Sequence, residues 1–164
     1  MTTKQVSVQR FSVTSSKSFE EVVAGLEAAV GHPNMQGFLR DVASAKTYAD
    51  LEKVIRKVIG VSGFMEFIRF NLGGIVRKER GEKAPQSLRL LIGNPLIMKQ
   101  MIEHAPDAGS YAPVTILIDE RADGVHLSYD KIASLLAPYG SAEAMKVAQD
   151  LDSKVEALLT AAAT

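Results

Sequence analysis

The chain contains no cysteine. That excludes disulfides, iron–sulfur clusters, thiolate zinc sites and cysteine nucleophiles. It also has no excess of charge. The 19 basic and 19 acidic side chains leave a formal net charge of zero, which argues against a general nucleic-acid binder. No apolar run reaches the ~18 residues of a membrane span. The opening segment MTTKQVSVQRFSVTSSKS lacks the apolar core of a signal peptide, so a cytoplasmic location is expected. Only three histidines are present, His32, His104 and His126, and no two share one helix face, so no metal site is expected. What is present is ordinary globular material: 164 residues, 46% of them hydrophobic, with no repeat and no linker. This predicts a single domain over 1–164, able to bury about two thirds of the surface of its unfolded chain.

Residues 5–14, QVSVQRFSVT, alternate around Val6, Val8, Phe11 and Val13, with one slip near Arg10, and predict a first strand. Ser18 and Glu21 make a capping box ahead of Phe19, Val22, Val23, Leu26 and Val30 at helical spacing, with Gly31 placed to end the helix. Residues 32–61 predict a helical pair. Pro33 suits a first helical position before Phe38, Leu39 and Val42. Thr47 is a cap for a second stripe of Leu51, Val54, Ile55, Val58 and Ile59. FMEFIRFNL, 64–72, predicts a strand that Gly73-Gly74 bends and Ile75-Val76 extends, followed by the charged loop RKERGEKAPQS. Strands follow at 87–92 and 114–120, with Asn94-Pro95 starting a helix between them. Ala122-Asp123-Gly124 turns a hairpin into VHLSY, 125–129. Asp130 is placed to cap a short helix. Ser141 caps the last helix, whose Ala144, Ala148, Leu151, Val155, Leu158 and Ala162 form an apolar seam and whose TAAAT end is expected to fray. The order implies an α+β fold, a mainly antiparallel sheet with helices packed on it.

LLIGNP at 90–95, the strand APVTILIDE, the acidic hairpin at Gly124 and SYD at 128–130 stand in an order that resembles the bacterial and archaeal domain-of-unknown-function family 302. SFEEVVAGLEAAV is similar to that family's opening helix. The resemblance covers about 1–31 and 62–164. It implies a TATA-binding-protein-like β-α-β(4)-α fold, a tendency to dimerise and no agreed activity. Against that pattern, 32–61 stands as an inserted helical pair. Members also often carry an acidic residue followed by His near the end of the second strand, where this chain has Asn71 and Leu72.

Three residues are candidates for a site. Asn94 opens a helix directly after a strand, a geometry that can bind an anion through free amides, although capping alone accounts for it. His126 is out of phase with Val125, Leu127 and Tyr129, so it shares a sheet face with Ser128 and Thr115; its plain reading is a solvent-facing strand histidine. Tyr129 shares the apolar phase and reads most simply as a buried ring with a bonded hydroxyl. The run Arg77–Lys83 is interrupted by Glu79 and Glu82 and reads as a solvated segment. Residues 1–90 carry 14 basic and 9 acidic side chains and 91–164 carry 5 and 10, an asymmetry that favours association of two copies.

The expectation is a non-enzymatic small-ligand-binding or interaction module acting as a homodimer. It would take a small apolar or anionic ligand at Asn94, His126 and Tyr129, with neither nucleic acid nor membrane as partner and no cofactor that can be named. One alternative is an enzyme using those three residues with a carboxylate such as Asp119. Another is a structural partner docking through the 32–61 helices, which in the ligand reading roof the pocket instead. No nucleophile, base and orienting group fall at a recognisable spacing, which favours the binding module.

Overall fold

The computed structural model describes residue 1 and residues 3–164. Five strands, β1 (Arg10–Ser15), β2 (Met65–Asn71), β3 (Ser87–Gly93), β4 (Val114–Arg121) and β5 (Gly124–Asp130), form one sheet in the order β1-β5-β4-β3-β2. Every neighbouring pair is antiparallel. The helices are α1 (Phe19–Ala29), α2 (Met35–Ser44), α3 (Tyr48–Arg56), α4 (Leu72–Arg80), α5 (Pro95–Ile102), α6 (Ile132–Leu136) and α7 (Ala142–Ala163).

Strand alternation assigns the two sheet faces. Leu88, Leu90 and Ile92 of β3, Val114, Ile116 and Ile118 of β4, and Val125, Leu127 and Tyr129 of β5 are all buried. They meet α1 and α7, whose contributions include Val22, Leu26, Leu151, Val155 and Leu159. The intervening residues, among them Arg89, Thr115, Leu117 and Ser128, form a second face that no helix layer covers. The α2–α3 pair has a small core of its own. Phe38 and Ile55 close on Met65, with Phe67 of β2 and Leu96 of α5 packed against them. Phe38 and Ile55 are thus buried beside the start of β2, with Val42, Leu51, Val54, Val58 and Ile59 partly buried around them, while Leu39 stays exposed.

Several termini follow the expected chemistry. Ser18 Oγ accepts from Glu21 N while the Glu21 carboxylate accepts from Ser18 N at 2.8 Å. Thr47, Asn94 and Ser141 each cap the helix that follows. Other termini differ. β1 begins at Arg10 rather than at residue 5, because its partner β5 ends at Asp130, opposite Arg10. The cap of α2 is Asn34, which accepts from Gly37 N at 2.8 Å, so Pro33 lies outside the helix. Gly73-Gly74 does not bend a strand; it lies in the first turn of α4. There Asn71 Oδ1 accepts from Gly74 N at 2.7 Å, and Arg77, Lys78 and Arg80 sit at the favourable C-terminal end of the dipole. Helix therefore takes the place of both the strand extension at Ile75-Val76 and the first part of the charged loop.

The C-terminal end does not fray. Ala162 and Ala163 are buried and the Ser15 hydroxyl donates to Ala163 O at 2.6 Å. Asp130 does not cap α6. It holds Arg10 in a two-pronged ion pair at 2.6 and 2.9 Å, and the cap comes from Asp152 of α7.

Candidate functional site

The uncovered sheet face holds a cavity of about 430 Å³. Alternation on three adjacent strands supplies its floor: Arg89 of β3, Thr115 and Leu117 of β4, and Ser128 of β5. Leu72 at the start of α4, Tyr111 ahead of β4, and Leu135 of α6 also line it. Arg10 and Asp130 border it as a paired couple, and the carboxylate raises the guanidinium above its ordinary value through their hydrogen bonds and charge. Arg89 has no carboxylate within ion-pair distance among the described residues; its guanidinium lies 5.9 Å from the centre of the Phe70 ring. The ionised side chains of the lining therefore sum to one positive charge.

A second cavity of about 130 Å³ lies between α5, α7 and the starts of β2 and β4. Its walls are apolar, including Phe67, Met98, Met101 and Leu151, and its polar member is Asn94. The Asn94 amide is already engaged at both ends, accepting from Leu96 N at 2.9 Å and donating to Gly63 O at 2.9 Å. No free polar side chain is left there to orient a ligand, so this space is an apolar cleft. A third hollow, of about 10 Å³, sits beside Arg69, which is paired with Glu66 at 2.8 Å and Glu27 at 2.5 Å. It is too small for more than a water molecule.

Asn94, His126 and Tyr129 occupy three different places. Tyr129 points into the core and donates to Asp152 Oδ1 at 2.6 Å, at the border of the large cavity. His126 lies on the uncovered face nearer the β4–β5 turn and lines none of the three cavities. Its Nε2 donates to Asp123 at 2.8 Å, a bond that holds the Asp123 carboxyl below the usual carboxylate range. Asp119, opposite His126 in the register, is paired with Arg121 at 2.5 Å. The α2–α3 helices line neither large cavity, so they roof no pocket there. Among the described residues, no group of three or more His, Asp or Glu side chains has a metal-holding arrangement, and no helix is long and apolar enough to cross a membrane.

Sequence reasoning placed Thr115 and Ser128 together on one face but passed over Arg10 and Arg89. The signal for Arg89 was available: it is the charged residue in the outward phase between Leu88, Leu90 and Ile92.

The tyrosines give this region a distinctive alkaline response. Burial, and then the bond to Asp152, push the Tyr129 hydroxyl far above its usual value near 10. The hydrogen bond with Tyr111 (2.9 Å) raises Tyr139 to about 12. Both groups hold their protons more tightly when folded, so their stabilisation is complete below pH ~10; that of Tyr139 is lost as pH rises through about 12, and that of Tyr129 only at higher pH still. Urea unfolding at pH ~11 should show a lower midpoint than at pH ~8, with the Tyr129 phenolate absorbing only as the chain unfolds. Full ionisation of every tyrosine ahead of unfolding would contradict the burial of Tyr129 beside Asp152.

Comparison with known proteins bears on the fold. The chain matches the family model described as "Domain of unknown function DUF302" over residues 40–162. A crystal structure of an uncharacterized conserved protein DUF302 from Bacillus stearothermophilus superposes with a TM-score of 0.65 at 12% sequence identity, covering 93% of this chain and 97% of that one. No curated protein matches. The family match takes in most of 32–61, so it does not mark that segment as an addition.

Proposed function

Because the chain belongs to DUF302, a family of domains of unknown function, we propose its role from its own geometry: a non-enzymatic small-ligand-binding domain whose site is the cavity on the uncovered sheet face. The observation that carries this reading is the cavity of about 430 Å³, in which polar groups converge from three strands among apolar walls. Its size falls within the range of small-molecule sites. The enzyme alternative has less support. Asn94 and Tyr129 are engaged in structural hydrogen bonds, and His126 stands apart from both larger cavities.

The homodimer belongs to this proposal in altered form. The apolar seam of α7 is buried within the chain and offers no dimer surface. Ile68 and Phe70 of β2, with Ile75 and Val76 of α4, are the exposed apolar residues at that edge of the sheet, and burying them against a second copy removes them from water.

Native mass spectrometry addresses both points. We expect twice the chain mass of 17.7 kDa at micromolar concentration, and saturable 1-anilinonaphthalene-8-sulfonate binding that Thr115→Trp abolishes without lowering Tm. Dye binding unchanged by Thr115→Trp would overturn the assignment of the site. A monomer mass throughout would remove the dimer.

A further inference from the structure

We infer that the ligand is an organic monocarboxylate with an apolar body, its carboxylate paired with Arg89. This rests on the reading of the open-face cavity as the binding site and goes on to name the chemistry it selects. Of the three ionised side chains in the lining, Arg10 and Asp130 neutralise one another through two short hydrogen bonds. Arg89 alone among the described residues brings an unpaired charge to the cavity. A guanidinium offers two parallel N–H groups that match a planar carboxylate.

The same lining argues against a phosphate. A dianion calls for a second cation or a set of free backbone amides. Two helices reach the cavity: in α6 the Ile132 and Ala133 amides already donate to Asp152 at 2.8 and 3.1 Å, and in the first turn of α4 the Gly74 amide donates to Asn71 Oδ1 at 2.7 Å. No lysine lines the cavity. Leu117 on the floor, with Leu72 and Leu135, supplies apolar surface for the body of the ligand. Thr115 and Ser128 can exchange hydrogen bonds with a hydroxyl or keto group on it.

The test compares 2-naphthoate with 2-naphthamide, which share a shape but differ in charge, by calorimetry on the wild-type chain and on Arg89→Gln and Arg89→Lys. The naphthoate is expected to bind at least tenfold more tightly than the amide to the wild type. Arg89→Gln should erase that preference by weakening naphthoate binding, and Arg89→Lys should keep part of it. Arg89 is exposed, so neither variant is expected to disturb folding. Equal binding of the two compounds to the wild type overturns the carboxylate inference and leaves the cavity as a site for neutral molecules. Failure of both compounds to bind, together with failure of the dye, overturns the site reading itself.

Discussion

Replacing Asp152 by alanine is expected to destabilise the fold by about 2–5 kcal/mol, the scale of two or three donors losing one buried acceptor. The residue is 2% exposed, and its carboxylate accepts from the Tyr129 hydroxyl at 2.6 Å, from Ile132 N at 2.8 Å and from Ala133 N at 3.1 Å. Truncation leaves the part-buried Ala133 amide without its acceptor and the Tyr129 hydroxyl and Ile132 amide with only their 3.4 Å contact to each other, each lost bond costing roughly 1–3 kcal/mol before relaxation. The effect reaches the cavity, because the two amides belong to the first turn of α6, which carries Ile132 and Leu135 to its wall. Denaturant titration should report a lower midpoint at an unchanged slope, together with weaker dye binding. Asp152→Asn should fall between wild type and alanine, since it keeps one acceptor oxygen but adds an amino group that meets only donors. A loss below ~1 kcal/mol in the alanine variant would mean that α6 is held by packing alone.

Gly31→Ala should be the most disruptive single methyl addition in the chain. A Cβ at residue 31 would lie 1.8 Å from Val58 O, and one at Gly60 would lie 2.3 Å from Ala29 O. The two backbones cross there. Gly31 N and Gly60 N both donate to Phe64 O, at 2.9 and 2.8 Å, and Glu66 N returns a bond to Gly31 O. Opening the crossing means giving up part of that set at the base of the α2–α3 pair. The expected cost is about 3 kcal/mol or more, at the upper end of overpacking effects. Hydrogen exchange should show protection falling first across 35–56. A variant as stable as wild type, or one whose protection falls evenly over the whole sheet, would contradict the idea that this crossing clamps the helical pair.

The strands and most helix starts were legible in the sequence because they rest on local rules. Alternation set the buried phases of β3, β4 and β5, and Ser18, Thr47, Asn94 and Ser141 cap as their positions imply. The misread segments are those where a distant residue decides the outcome. Asp130 has the chemistry of a cap, but Arg10, 120 residues away, occupies it, while Asp152 reaches α6 from another helix. The TAAAT end looked free because nothing local shows that Ser15 will receive its last carbonyl. Gly73-Gly74 carries poor helix propensity, which the Asn71 cap and the basic last turn of α4 outweigh.

The candidate site was legible only in part, for the same reason. Thr115 and Ser128 follow from phase alone. The cavity itself depends on α4 and α6 reaching opposite parts of one sheet face, and no local pattern encodes that.

The most direct test of the account is amide chemical-shift mapping of the folded chain during titration with 2-naphthoate. The account predicts saturable shifts concentrated at Arg89, Thr115, Leu117, Ser128 and Tyr111, with Met98, Met101 and the α2–α3 helices unmoved. Shifts concentrated instead around Met98, Met101 and Leu151 would move the site to the apolar space behind the sheet and contradict the claim that the uncovered face is where this domain binds.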